Sequence, residues 1–404
     1  MDFLTSLSGQ RDLPRYFSQV FSIAKSINQG SLDFVLKDGR RFRAQGKLPG
    51  PMAEIVIHNP DVFARLIREG DLGFSDAYLE GGWTSPDLQI FMDLMNADND
   101  HVYDGFPGLG LVRTYEKMRF WLNSNSRRQA KKNISYHYDL GNDFYRLWLD
   151  DTMTYSSAKF ETGQESLEAA QTRKYASMID QMGVQPGDHV LEIGCGWGGF
   201  AHYAAGERGL RVTGLTISRE QRDFAVDRIK RAGLSDKVTI KLQDYRDEEG
   251  SYDGIASIEM FEAVGEKYWP TYFNALRERL KPGKAATLQI ITIPDQRFEI
   301  YRRSVDFIQK YIFPGGMLPS PSVLRAQIEQ AGLQVAGSLE FGESYSQTLR
   351  RWHETFNQKW EQISQMGFDD RFQRMWNFYL TSCASAFHSG SCDVTQITIT
   401  KPAG

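Results

Sequence analysis

Residues 190–200 (VLEIGCGWGGF) constrain this chain more than any other stretch. An apolar strand runs into Gly194, Gly196 and Gly198, and a helix is expected to begin just after Gly198. Glycines at such a junction let the backbone turn tightly and let a ligand approach without a Cβ in the way. A lone glycine-rich turn is a weak signal, since many serve helix packing alone. Its surroundings sharpen it. Residues 189–193 (HVLEI), 211–215 (RVTGL), 237–242 (KVTIKL), 252–258 (YDGIASI) and 285–293 (AATLQIITI) read as strands, and helical segments such as 219–231 and 268–280 lie between them. Strands alternating with helices imply a parallel sheet covered on both faces, an α/β doubly wound fold. Residues 395–400 (TQITIT) fit its closing edge.

In such a sheet the ligand crevice lies outside the strand carboxyl ends. Three strand ends here agree on a nucleoside. The spacing GxGxG lacks the later glycine of the dinucleotide fingerprint, and Glu192 sits inside the strand. The second strand ends in residues 213–218 (TGLTIS). An NAD site would favour a carboxylate at that tip, whereas Thr216 and Ser218 offer hydroxyls and Gln221 follows. The third end, residues 243–246 (QDYR), offers Asp244 and Tyr245 for an adenine pocket.

The first 110 residues differ. Residues 31–43 alternate apolar and polar around Asp38-Gly39, a hairpin signal. Residues 53–58 (AEIVIH) read as another strand, and 61–69 as a helix with Asn59 as cap and Pro60 in its first turn. This is a small α+β domain. Residues 111–150 form a third zone. Arg113, Lys117, Arg119, Arg127, Arg128, Lys131 and Lys132 are interleaved with Tyr115, Phe120 and Trp121, and Glu116 is the sole acid up to Lys132. That composition suits an interfacial helix on anionic lipid, and equally a solvated linker helix whose rings pack on a neighbour.

Composition narrows the function. Lys plus Arg number 47 against 51 Asp plus Glu, a net charge of −4, without the basic excess of a nucleic-acid binder. The cysteines, Cys195, Cys383 and Cys392, form no CxxC pair. Their sparse, odd count argues against a disulfide framework and a structural zinc site, and suits a reducing compartment. No signal segment is read at the N-terminus, and no stretch approaches the ~18 apolar residues needed to span a bilayer. The expectation is a cytoplasmic protein that meets a membrane only at its inner surface. The aromatic segment 372–387 fits a core or an interface, so a homodimer stays open.

Several ordered motifs resemble the cyclopropane-fatty-acyl-phospholipid synthases and mycolic acid methyltransferases. They begin with residues 71–73 (DLG) and 81–83 (GGW). Residues 136–145 (YHYDLGNDFY) and 154–158 (TYSSA) precede the glycine loop, and 216–218 (TIS) and 260–265 (MFEAVG) follow it. Residues 310–316 (KYIFPGG), 318–320 (LPS), Phe341-Gly342, Tyr345 and Trp352 complete the set. The resemblance implies a methyltransferase sheet of the Rossmann-like kind over 151–404, behind an N-terminal lipid-engaging domain (1–110) and a linker segment (111–150). It implies S-adenosylmethionine as cofactor, held by Tyr155, Ser156, Gly194, Gly196, Thr216, Gln221 and Tyr245, to which the strand-tip reading adds Gly198 and Asp244. In that family a pocket of Cys, Glu, His, Ile backbone and Tyr binds bicarbonate. Glu262, Ile291 and Tyr345 match it, while Ser157 stands at the Cys position and Gln289 at the His position. Unlike histidine, Gln289 cannot titrate. His137 is a candidate for contacting lipid or supporting the pocket.

The implied reaction transfers a methyl group to a double-bond carbon of an unsaturated phospholipid acyl chain. Positive charge then develops on the chain, which calls for aromatic walls, excluded water and a base. With Ser157 and Gln289 as neutral donors, the pocket is expected to hold an anion still, and the product to be a cyclopropane, a methyl-branched chain or a furan precursor. The rival readings are methylation of a small soluble amine or phenol, and a non-catalytic lipid-binding protein on the same fold. The added N-terminal zones argue against the first, and the intact glycine loop with Glu262 against the second.

Overall fold

In a computed structural model the described residues are 3–97 and 140–403. His137 and the basic, aromatic segment from Arg113 to Lys132 lie outside them. The chain forms two compact units. The first joins Met1–Phe120 with Ser304–Ile312 and Trp360–Ser391; the second joins Trp121–Arg303 with Phe313–Lys359 and Cys392–Gly404. The contiguous partition expected from sequence thus differs in two late segments, which pack with the N-terminal residues.

In the first unit, β1 (Gln29–Val35) and β2 (Arg41–Gln45) form the expected antiparallel hairpin. Gly39 turns it at φ 86°. β3 (Leu48–Ile57) runs parallel to β1 and carries the short β4 (Trp83–Thr84), so the order is β2-β1-β3-β4. Phe17 centres the core, with the rings of Phe21, Phe34, Phe42 and Phe63 at 5.0 to 5.7 Å, a geometry that adds to the area each ring buries. The helix after Pro60 spans Asp61–Leu79, longer than its sequence pattern, and bends at Gly70 (φ 68°, ψ −146°). The aromatic helix Asp370–His388 is core here. It packs on Asp61–Leu79 and Leu88–Ala97, Phe378 meets Phe307 and Tyr78 at 4.5 and 5.6 Å, and Arg374 Nε donates to the Leu79 carbonyl at 2.8 Å. Those contacts are why Ser304–Ile312 and Trp360–Ser391 join this unit.

The second unit is a seven-stranded sheet: β5 (His189–Ile193), β6 (Arg211–Thr216), β7 (Val238–Leu242), β8 (Tyr252–Ile258), β9 (Leu280–Thr292), β10 (Gln334–Glu340) and β11 (Asp393–Thr400). The order is β10-β11-β9-β8-β5-β6-β7. β7-β6-β5-β8-β9 are parallel, and β11 and β10 are antiparallel additions. The expected closing edge, residues 395–400, therefore lies one strand in. The edge is β10, whose residues are almost all exposed, so no apolar run marked it. Helices Leu167–Met182 and Gly199–Gly206 seal the sheet through Tyr175, Met178, Phe200 and Ala204 against Val190, Val212 and Ala256. The chain winds outward from β5 through β6 and β7 on one side and reaches β8 and β9 on the other. Its ligand crevice is the switch point where the β5 and β8 ends part. Among the described residues no helix is long and apolar enough to cross a membrane.

Candidate active site

Beyond β5 the chain reverses on left-handed glycines: φ is 81° at Gly194, 51° at Gly196 and 81° at Gly198. The N–H groups of Gly194 and Cys195 both donate to the Leu215 carbonyl, at 2.9 and 2.8 Å, tying the loop to the end of β6. A Cβ on Gly194 would lie 2.8 Å from Met260 Cγ, so the loops after β5 and β8 nearly touch. A Cβ on Gly196 would meet nothing within 4 Å. The backbone at Gly196 therefore faces open space at the switch point of the sheet. Arg228 clamps the loop from behind, donating to the carbonyls of Thr152 (2.8 Å) and Trp197 (3.1 Å).

The other strand tips complete the wall. Thr216 Oγ1 donates to Gln221 Oε1 at 2.9 Å and accepts from the Ser218 N–H at 3.1 Å, while Ser218 caps the helix Arg219–Arg231. At the tip of β7, Asp244 holds the Arg246 guanidinium at 2.8 and 2.5 Å, and the Tyr245 ring sits edge-on to Tyr272 at 5.5 Å. Tyr155 lies among Tyr145, Trp148 and Trp352, with ring centroids 5.3 to 5.6 Å away, and Tyr145 meets Trp197 of the glycine loop at 5.0 Å. Such faces favour a cation, as a sulfonium group requires. Ser156 Oγ accepts from Lys174 Nζ at 2.6 Å. Lys174 is fully buried. Burial pulls its pKa down to about 7, against the attraction of Glu259, Asp150 and Glu192. Burial likewise pushes Glu192 up to about 8.

The second half of the site lies at the ends of β8 and β9. Ile258 pairs with Gln289, so the next residue, Glu259, stands beside Gln289 at the strand tip. Its carboxylate gathers three donors. Oε1 accepts from the Ser157 N–H (2.8 Å) and Gln289 Nε2 (2.7 Å), and Oε2 accepts from the Tyr345 hydroxyl (2.6 Å). Burial raises the Glu259 pKa, opposed by Lys174, Tyr345, Gln289 and Ser157 in turn. Its backbone is left-handed, φ 48°, a conformation that costs a non-glycine residue about 1–3 kcal/mol and that persists mainly at functional sites. Glu262, in the turn Phe261–Ala263, accepts from the Ile291 N–H at 2.6 Å. Burial first, and then the charge of Glu259, pushes Glu262 up to about 8. Burial raises both carboxylates, but their partners differ: three donors and the nearby Lys174 favour the ionised form of Glu259, whereas Glu262 has one backbone donor and the charge of Glu259 beside it.

Sequence reasoning named Ser157, Gln289, Ile291, Tyr345 and Glu262, and the structure brings all five to these tips. It assigns them differently. Ser157 uses its N–H, while its hydroxyl donates to the Ala158 carbonyl at 2.8 Å. Three of the groups expected to hold a free bicarbonate converge on the Glu259 side chain instead, and the Ile291 N–H is on Glu262, so the donor set does not fit a separate bicarbonate. Glu259 and Lys174 were missed. The signal for Lys174 was present: in Leu167–Met182 the buried stripe Ala170, Gln171, Lys174, Tyr175, Met178 has helical spacing and includes it.

A doubly wound sheet with this glycine loop, a hydroxyl-and-amide second tip and an aromatic wall at the switch point defines a methyltransferase that uses S-adenosylmethionine. The comparisons agree. The chain belongs to the mycolic acid cyclopropane synthetase family, whose model matches residues 125–397. It is 39% identical over 380 residues to a tuberculostearic acid methyltransferase of Mycobacterium tuberculosis, covering 92% of this chain and 88% of that one. It is 37% identical over 358 residues to the cyclopropane-fatty-acyl-phospholipid synthase of Escherichia coli K12, covering 86% and 88%. A solved mycolic acid cyclopropane synthase in complex with SAH and CTAB superposes with a TM-score of 0.63 at 30% identity, over 67% of this chain and 98% of that one.

Proposed function

We propose that this enzyme transfers the methyl group of S-adenosylmethionine to a double-bond carbon of an unsaturated acyl chain carried on a phospholipid. One observation carries the reading: the Gly196 cradle and its aromatic wall belong to the same switch point as a buried carboxylate held by Tyr345, Gln289 and Ser157. When bound, the cofactor supplies an electrophilic methyl group on a positively charged sulfur. The chain's own residues do the rest. Gly194, Gly196 and Gly198 shape the loop; Thr216 and Gln221, with Asp244 and Tyr245, bound the nucleoside. Tyr145, Trp148, Tyr155 and Trp352 present ring faces that stabilise positive charge and exclude water. A carboxylate just beyond β8 receives the proton that the acyl chain gives up, and Tyr345, Gln289 and Ser157 hold that carboxylate in place.

The names of two relatives support the acyl chain as substrate, one a fatty-acyl-phospholipid synthase and the other a tuberculostearic acid methyltransferase. The cations between Arg113 and Lys132 support docking on the anionic inner face of a membrane. The deciding experiment incubates the protein with labelled S-adenosylmethionine and vesicles of mixed unsaturated phospholipids, then identifies the modified molecule by mass spectrometry. Label in an acyl chain, as a ring or a branch, is expected. Label confined to head groups or to added soluble amines and phenols would reject the reading.

A further inference from the structure

We propose that the Glu259 carboxylate is itself the proton acceptor of the reaction, in the place of a bound bicarbonate, so that this enzyme turns over without bicarbonate. The assignment rests on the acyl-methylating reading above and deepens it.

The donor geometry comes first. Ser157 N–H and Gln289 Nε2 meet on Oε1 at 2.8 and 2.7 Å, and the Tyr345 hydroxyl meets Oε2 at 2.6 Å. An anion added to the pocket would have to share those donors with a carboxylate already on them, and two like charges in one site repel. A carboxylate has about four acceptor sites. Three are taken here, which leaves one for an incoming proton. The orientation of Gln289 is enforced as well. Gln396 Nε2 donates to Gln289 Oε1 at 3.1 Å, so the Gln289 amide nitrogen faces Glu259; the Gln396 carbonyl oxygen is in turn held by Ser177 and Gln181, both at 2.7 Å. The backbone adds an independent observation: position 259 is left-handed, where glycine is favoured, and yet it carries a glutamate.

The step balances without a further reactant. The alkene π pair forms the bond to the methyl carbon as the carbon–sulfur bond breaks onto sulfur, leaving positive charge on the other alkene carbon. Glu259 takes a proton from the transferred methyl, and that C–H pair closes a ring; or it takes one from a neighbouring chain carbon, and the pair becomes a new double bond. The proton rests on the Glu259 carboxyl and passes to water after the lipid leaves.

The test compares rates in bicarbonate-depleted and bicarbonate-supplemented buffer, on vesicles of a monounsaturated phospholipid with labelled S-adenosylmethionine. The wild-type rate should agree in the two within about twofold. Glu259→Gly suits the backbone and vacates the pocket. It should lose at least ~10²-fold in kcat without bicarbonate, the scale of a lost general base, bind S-adenosylmethionine normally by calorimetry, and recover in part when bicarbonate is added. Glu259→Gln keeps the volume, so it should be equally slow and stay slow with bicarbonate; it carries the test should the glycine variant fail to fold. A wild type that needs bicarbonate, or a glutamine variant as active as wild type, overturns the assignment alone. Absence of label from every acyl chain overturns the acyl-methylating reading and this assignment with it.

Discussion

Beyond β5 the chain builds mostly from backbone: left-handed glycines, two N–H groups on one carbonyl and an open space at Gly196. Around the tips of β8 and β9 it builds from side chains: two carboxylates, an amide and a phenol, with the buried Lys174 close by. The first region offers shape, which glycine spacing encodes locally. The second controls charge in a site largely shut off from water, where each hydrogen bond to a carboxylate counts for about 1.5–3 kcal/mol. Binding should therefore fail when the first region is altered, and turnover when the second is.

The largest separation of the two comes from paired glycine variants. Gly196→Ala adds a Cβ with no neighbour within 4 Å, so the fold should lose only the cost of a left-handed alanine, about 1–2 kcal/mol. That methyl enters the cradle, and S-adenosylmethionine affinity should fall on the order of a hundredfold, or about 2.7 kcal/mol. Gly194→Ala instead drives a Cβ to 2.8 Å from Met260 and should destabilise the fold more than Gly196→Ala does. Calorimetry and urea unfolding of both variants check this. Unchanged affinity in Gly196→Ala would remove the cradle from the site.

Next in size is Tyr345→Phe, which deletes one donor to Glu259 and leaves the glycine loop alone. kcat should drop by about tenfold or somewhat more, the scale of one charge-assisted hydrogen bond, with cofactor affinity unchanged. The hydroxyl favours the ionised carboxylate, so its loss raises the Glu259 pKa, and the acid limb of the rate profile should move to higher pH. The other groups facing Glu259 are Lys174, Glu262, Gln289 and Ser157, and the variant leaves all of them in place. An acid limb that stays put would mean that Glu259 is not the group being titrated.

This contrast also explains what could be read from the chain alone. Strand β8 and helix Arg219–Arg231 fall where their apolar patterns put them, because burial on both faces of a parallel sheet leaves a contiguous local signature. The glycine loop was legible for the same reason. Glu259 was not, because its role is set by donors from positions 157, 289 and 345, and because a positive φ at glutamate follows no local rule. Glu262, three residues on, lies within the legible motif 260–265 and accepts a backbone N–H. Lys174 was overlooked because lysine defaults to solvent, although its helical spacing matches buried neighbours. β10 carries no apolar run, and the late segments join the first unit through tertiary packing alone.

The smallest expected effect is the sharpest test of how the two carboxylates divide the work. Glu262 is pushed up to about 8 by burial and then by the charge of Glu259, so near neutral pH it is mostly the uncharged acid. Glu262→Gln is neutral too and keeps an oxygen for the Ile291 N–H. At pH 7 kcat should therefore stay within about threefold of wild type, in contrast to the large loss expected at Glu259. Stability separates the two proteins further. Between the ordinary glutamate pKa and about 8, the folded wild type holds a proton that the unfolded chain has released. The Glu262 contribution is thus complete below that window and falls as pH rises through it, by at most about 1.4 kcal/mol per pH unit. Glutamine has no such dependence. Urea unfolding at a series of pH values should show the variant gaining on wild type from about pH 5 to 8 and the gap levelling off above. Parallel stability profiles for the two proteins would mean that Glu262 is already ionised in the fold, and the assignment of Glu259 as the single charged partner would fall with it.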